Sequence, residues 1–203
     1  MKMGFGRRGN SYIFCFRALV LLSLGIYVFA ARDLLSEAPA GADPLSNIHV
    51  PAILQPPSGF KLHAAYPAKG YQYYRYNGSS WVNFNASAIL RDPATNKKVA
   101  RHFFLTTPDA LGGQPSWESL NPHSPSIVTA KSIESIRVSK HSINWVLLKA
   151  THTTGSKKEF GDVAFVQRLA TIAGLPPTST KGAKVGDVKK SKYSAVYTFY
   201  VPS

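Results

Sequence analysis

The chain has 203 residues, of which 24 are Lys or Arg and 10 are Asp or Glu, so its formal net charge is +14. Its length suits one domain with an ordinary hydrophobic core, and its single cysteine, Cys15, excludes a fold held by internal disulfide bonds. The basic excess favours acidic partners: anionic polysaccharide, anionic lipid headgroups or nucleic acid.

The first 30 residues have the layout of a secretory signal peptide. Four basic residues accompany an uninterrupted apolar run, ALVLLSLGIYVFA, that ends in small residues. We predict cleavage before Ala31, which leaves 20 Lys and Arg against 10 Asp and Glu, a net charge of +10. The alternative is a signal anchor, because residues 12–31 are nearly long enough to span a bilayer. The rest of the chain is then secreted, or is attached to a membrane only through residues 12–31, and in both cases lies outside the cytosol.

Residues 31–50 are polar and rich in small residues, which predicts a flexible linker before a domain that spans residues 51–203. Two N-glycosylation acceptors, Asn77 and Asn85, lie early in that domain. The pair Asn77-Gly78 also predicts a hairpin turn, because both residues accept a positive φ.

From Phe60 onward, short runs rich in β-branched and aromatic residues alternate with turn clusters. The run YSAVYTFYV alternates as a strand does, and NWVLLKA is apolar on both faces, as in a strand that is covered on two sides. AFVQRLATIAG has a helical alternative, but its alternation favours a strand. The pattern predicts one all-β domain, an antiparallel sandwich or barrel of about eight to ten strands.

Several of these blocks resemble a family of exported proteins with a domain of unknown function, found in plants, fungi and bacteria. The blocks are QPPSGFKLHAAYPAKGYQYYRY, VARHFF followed by PSWES, INWVLLKATHTTG, VAFVQRLATIAGLPP and YSAVYTFY. They run from about Pro51 to Val201. The resemblance implies a compact β domain with no agreed activity. Some fungal members carry a transferred label of malate dehydrogenase, which this sequence does not support, because it lacks the alternating strands and helices of a dinucleotide-binding fold.

The chain departs from that family in two places. Many members have a cysteine pair, and both cysteines are missing here. Relatives tend to have Gly-Pro-Thr-Trp-Glu followed by Asp-Gly-Ser, where this chain has QPSWE and then NPHS. The loop therefore lacks an acidic residue that relatives have at this point.

A candidate site follows from a long loop between predicted strands, because such loops often carry binding residues. His102 precedes this loop, and Trp117 and Glu118 lie within it. A hairpin with Gln72 and Tyr74, together with the cation Arg168, would complete an aromatic pocket suited to a sugar ring. The alternative is structural: the polar residues are satisfied within strands, and Trp117 covers the core.

The familiar catalytic and cofactor patterns are missing. There is no HExxH motif, no cysteine ligand pair and no GxSxG elbow, and the six histidines are too widely spaced to indicate a metal site. GFGRRG has the glycine spacing of a dinucleotide fingerprint, but only three residues precede Gly4, so no strand leads into it. We predict no metal and no cofactor. Glu118 and His102 remain the acid and base candidates for a hydrolase.

These observations leave three hypotheses. The first is a non-enzymatic binding module for an acidic glycan or another extracellular surface. The second is a polysaccharide hydrolase or lyase that uses Glu118 and His102, and the third is a structural or stress-protective secreted protein. Lysine pairs such as Lys97–Lys98 and Lys189–Lys190 are scattered along the sequence, which favours a hydrated surface over a single basic block. Because the domain is exported, we expect no nucleic-acid partner.

Overall fold

The described residues of the computed structural model, 41, 43–105 and 113–203, form a closed antiparallel barrel of eight strands. Each strand pairs with its neighbours in sequence, and the last pairs with the first. The all-β prediction is confirmed, and of its two architectures the barrel is the one observed. The elements are a 3₁₀ turn η1 (Ala52–Leu54) and strands β1 (Phe60–Tyr76), β2 (Trp81–Arg91), β3 (Lys98–Leu105), β4 (Gln114–Ser119), β5 (Ser126–Ile136), β6 (Trp145–Gly155), β7 (Phe165–Ala173) and β8 (Val188–Pro202).

The predicted leader and its cleavage point lie outside the described residues, as does the first half of the predicted linker. In the part of the chain that the structure describes, no helix is both long enough and apolar enough to cross a membrane. Two runs that the sequence separates, FKLHAAY and GYQYYRY, form the single strand β1. The segment with a helical alternative is strand β7.

Two hydrophobic clusters lie on the two sides of the sheet. The inner cluster fills the barrel, and its largest members are aromatic residues such as Trp117, Tyr197 and Phe199. The alternation of β8 explains this arrangement, because Tyr197 and Phe199 point to the same side of the strand. Antiparallel pairing around a closed barrel leaves no free sheet edge.

The outer cluster covers β6 and β7 and consists of Leu147, Phe165 and Leu169 with Leu54 from η1. Apolar residues from the segment just before η1 also pack against it: Leu45, Ile48 and Val50. The second half of the predicted linker therefore lies on the barrel wall. This cover explains why NWVLLKA is apolar on both faces: Leu147 faces the outer cluster, while its neighbours face the interior.

Candidate functional site

A cluster of polar and aromatic side chains lies inside the barrel. His102 on β3 and Trp117 on β4 are directly paired in register, so both side chains point to the same side of the sheet. Their rings are stacked, with centroids 4.7 Å apart, and the His102 ring lies 5.3 Å from that of Tyr197. His102 is only 3% exposed. The two rings are therefore in contact, and Trp117 lies on strand β4 and not in the loop that the sequence predicted.

The protonation state of His102 follows from its surroundings. Its Nδ1 lies 2.9 Å from the backbone oxygen of Ser116, which only accepts, so Nδ1 carries the proton and donates. Burial lowers the pKa of His102 to about 3; the bond to Ser116 opposes this effect and the positive charge of Arg168 adds to it. The imidazole is therefore neutral at physiological pH, and its Nε2 is an acceptor.

Arg168 on β7 is the cation of this interior cluster. Its Nε and Nη2 both donate to the backbone oxygen of Asn144, at 3.2 and 3.0 Å. Its charge also opposes the rise in pKa that burial causes at Tyr193 and Tyr197. Among the described residues no carboxylate forms an ion pair with Arg168; the ion pairs found there are Arg101–Glu118 and Lys157–Asp162.

A cavity of about 320 Å³ opens beside this cluster. Its wall combines the aromatic rings of His102, Trp117 and Tyr197 with the apolar side chain of Leu148 and the guanidinium of Arg168. An eight-stranded barrel is just wide enough to be filled by side chains or to hold one small ligand. The indole nitrogen of Trp117 is buried and has no hydrogen-bond partner among the described residues. A buried donor of this kind calls for a physical explanation, because leaving it unpaired is costly.

Gln72 and Tyr74 are also inside the barrel but do not line the cavity. The Tyr74 hydroxyl donates to the backbone oxygen of Gly174 at 2.5 Å, and burial raises its pKa to about 12. The Gln72 side-chain oxygen accepts from Asn83 at 3.0 Å, while its Nε2 has no hydrogen-bond partner among the described residues. Tyr74 therefore has a structural role, because its hydroxyl binds the backbone. Gln72 lies beside the Tyr193 hydroxyl and opposes the rise in its pKa that burial causes.

Glu118 lies on the opposite side of the sheet from His102. It follows Trp117 on β4 and therefore points outward, where it forms an ion pair with Arg101 of β3. The structure does not bring Glu118 and His102 together, and His102 is buried and neutral. An acid and base acting jointly on one substrate must both reach it, which this arrangement prevents.

The two glycosylation acceptors differ in accessibility. Asn77 is exposed in the turn between β1 and β2, where its side-chain oxygen accepts from the backbone of Ser79 and Ser80. Asn85 is half-buried on β2, and its oxygen accepts from the backbone of Ala86. Of the two acceptors, Asn77 is the more accessible, because it is exposed in a turn.

A second feature lies on four neighbouring strands of the barrel, and we call its outward-facing side the basic face. Strands β8, β1, β2 and β3 are consecutive in the closed sheet and contain nine cations but no Asp or Glu. Of these cations, Arg91 is partly buried and the other eight are exposed. The cations are Lys61, Lys69, Arg75, Arg91, Lys98, Arg101, Lys189, Lys190 and Lys192. Lys61 and Lys189, near the starts of β1 and β8, are paired with the inward-facing Val201 and Tyr74, so the other seven form the outward basic face.

Aromatic rings accompany these cations. The Arg75 guanidinium lies 4.4 Å from the Phe84 ring centroid, and the Lys190 ammonium lies 4.7 Å from that of Tyr71. A groove of about 520 Å³ crosses β1, β2 and β3 beside these residues, between Lys69 and Arg101.

Sequence analysis missed the basic face because it counted lysine pairs along the chain; a count of acids per predicted strand would have indicated it. It also missed Tyr197, although the alternation of β8 places that residue with Phe199.

No group of three or more His, Cys, Asp or Glu suited to hold a metal ion occurs in the described part of the chain. No curated protein and no solved structure matches the sequence. A family model matches residues 57–201, which include β1–β7 and all but the last residue of β8. The chain therefore belongs to the family described as protein of unknown function (DUF3455).

Proposed function

We propose that the protein is an exported, non-enzymatic binding module whose basic face binds an acidic polysaccharide. The observation that carries this proposal is the composition of β8, β1, β2 and β3, four adjacent strands that contain nine cations and no carboxylate. Of these cations, Arg101 is paired with an acid of the next strand, Glu118 on β4. Like charges on one surface repel one another unless counter-charges approach, so such a face attracts an anionic partner. A polymer with a carboxylate on each sugar matches charges that are spread over several strands.

The aromatic residues of the basic face suit a sugar partner as well. Tyr71 and Phe103 line the groove, and Phe84 is 37% exposed beside Arg75. An exposed aromatic ring next to a cation offers stacking for a sugar ring and a charge for its carboxylate. Hydrolysis by Glu118 and His102 has no comparable support, because one residue lies outside the barrel and the other inside it.

Export is part of this proposal, and it rests on the leader of basic residues and the apolar run ALVLLSLGIYVFA. We expect the protein recovered from culture medium to begin at Ala31. Intact mass spectrometry after enzymatic removal of glycans checks this start point. Recovery only from the membrane fraction, with residues 1–30 retained, would contradict cleavage and support the anchor. Enzymatic release of an N-glycan converts the asparagine to aspartate, so a mass increase of one dalton at Asn77 would show that this acceptor is glycosylated.

The binding proposal predicts that the full protein co-sediments with polygalacturonate gel and not with neutral cross-linked dextran. Retention should weaken steeply between low salt and about 0.5 M salt, because the screening length shrinks to a few ångströms. Mass spectrometry of the supernatant should show no oligosaccharide products. The double variant Lys190→Gln/Lys192→Gln is expected to bind about two- to thirtyfold more weakly, since each exposed contact contributes a fraction of a kcal/mol to about 1 kcal/mol.

The matched control is Lys140→Gln/Lys149→Gln, which removes the same charge from exposed positions near and on β6, outside the basic face. It should retain most of the affinity. Equal losses in the two double variants would mean that net charge alone governs retention. Soluble products that persist in Glu118→Gln would instead indicate an enzyme with another acid.

A further inference from the structure

We propose that the cavity inside the barrel binds a small aromatic carboxylic acid, with its carboxylate at Arg168 and its ring among the aromatic side chains of the wall. This site differs from the basic face: its aromatic rings and Arg168 lie on the inner side of the sheet, and its residues come mainly from β3–β8, although His102 also borders the groove of the basic face. A polymer cannot enter a cavity of about 320 Å³. The inference therefore goes beyond the proposed function and does not depend on it.

The charge of the cavity selects an anion. Two cations line it, Arg168 within the barrel and Lys131, which is exposed. Its described lining contains no Asp or Glu. Arg168 is partly buried, and a partly desolvated guanidinium without a carboxylate partner would gain from a ligand carboxylate.

The donors of Arg168 suit a carboxylate. Two of its five N–H groups are used by the backbone oxygen of Asn144, which fixes the orientation of the guanidinium. The guanidinium also lines the cavity beside Tyr197, where its charge opposes the rise in the pKa of that hydroxyl. A guanidinium held in this way offers a planar pair of donors, the geometry that a carboxylate accepts best.

The rest of the wall selects a flat apolar body. Trp117, Tyr197 and Phe104 contribute aromatic rings, and Val146 and Leu148 contribute aliphatic side chains. Aromatic rings pack well against such walls in edge-to-face or offset arrangements. A volume of about 320 Å³ is near the lower limit for small-molecule pockets and suits a ligand of one or two rings.

Two polar atoms in the cluster provide further selectivity. The indole N–H of Trp117 is a buried donor with no partner among the described residues. His102 is neutral, and because Nδ1 donates to Ser116, its Nε2 is left as an acceptor. A ring that carries an acceptor or a hydroxyl beside its carboxylate would pair with these atoms.

The test uses two probes of equal shape, 2-naphthoate and its neutral amide, 2-naphthamide, with the full protein. Titration calorimetry should give a dissociation constant for the carboxylate that is at least about tenfold lower than for the amide, because a charge-assisted pair is about twice as strong as a neutral one. In the wild-type protein labelled with ¹⁵N, the indole signal of Trp117 should shift on addition of 2-naphthoate. The signals of Trp81 and Trp145, identified by their loss in Trp81→Phe and Trp145→Phe, should not shift.

Arg168→Gln is expected to abolish the preference for the carboxylate, whereas Arg101→Gln, which removes an exposed guanidinium from the basic face, should keep it. Should Arg168→Gln fail to fold by circular dichroism, the wild-type comparison of the two probes at the Trp117 signal decides the question. Equal binding of both probes, or no shift at Trp117 with either, would overturn the proposal. Polygalacturonate retention is measured in parallel: it should survive Arg168→Gln, so failure of one site is distinguishable from failure of the other.

Discussion

Gly70→Ala is expected to lower the free energy of unfolding by at least about 3 kcal/mol, or to prevent folding altogether. Gly70 lies in the middle of the long strand β1, where β1 and β2 approach closely. A Cβ at this position would lie 1.8 Å from the backbone oxygen of Ser87 and 2.6 Å from the Cα of Ala88. Both obstacles are backbone atoms, so no side-chain rotation relieves the clash. A glycine inside a barrel strand marks such a close approach or bend.

Urea denaturation followed by circular dichroism measures this loss. Gly182→Ala is the matched control: a Cβ there meets nothing within 4 Å, but its φ of +74° is unfavourable for alanine. It should cost only about 1 kcal/mol, the penalty of the left-handed backbone conformation. Similar losses of unfolding free energy in both variants would mean that β1 and β2 move apart readily to accommodate a Cβ at position 70. The close approach at Gly70 would then not be essential to the barrel.

Acidification from pH 7 to pH 4 is expected to remove about 3 kcal/mol of stability through His102 alone. Burial and the charge of Arg168 hold the pKa of His102 at about 3 in the folded protein, against an ordinary value of 6.5. Between these two values the unfolded chain binds one more proton than the folded one. The free energy of unfolding therefore rises with pH in this window and falls by up to about 1.4 kcal/mol per pH unit as the pH drops.

His102→Gln tests this origin of the pH dependence. Glutamine has no titrating group, and its amide can donate to Ser116 in place of Nδ1. The variant should show a flatter plot of unfolding free energy against pH between pH 4 and pH 6.5. The carboxylate of Asp92, whose pKa is lowered by hydrogen bonds from Thr95, contributes at more acidic pH in both proteins and cancels in the comparison. His141→Gln, at an exposed position, should leave the slope as it is in the wild type; unchanged slopes in both variants would exclude His102 as the cause.

Much of the fold could be predicted from local patterns. Strand alternation around Tyr197 and Phe199 correctly predicted one shared face, and NWVLLKA correctly indicated cover on both sides. The turn at Asn77 and Gly78 was equally local, because it depends on backbone preferences of two residues. The choice between a sandwich and a barrel was not local. It depends on whether β8 pairs with β1, and no residue pattern of either strand specifies that partner.

The residues of the candidate site were likewise predictable only in part. Residue types alone pointed to His102, Trp117 and Arg168, which the barrel brings to one cavity. They also pointed to Glu118, which is adjacent to Trp117 in sequence but lies on the other side of the strand. A strand reverses the direction of its side chains at each residue, so neighbours in sequence belong to different environments. Predicting Trp117 and Glu118 as loop residues concealed this alternation.

By itself, the sequence determined an all-β domain without internal disulfides, its turns and its strongly basic charge. Those properties follow from composition and from the two-residue period of a strand, which are local. The family follows from the match of residues 57–201 to its model. Only the tertiary structure decided that lysines about 120 residues apart, such as Lys69 and Lys190, share one basic face, and that a lone arginine lies beside an aromatic cavity. Closure of the sheet is the physical reason, because pairing β8 with β1 brings the two ends of the domain side by side and separates an inside from an outside.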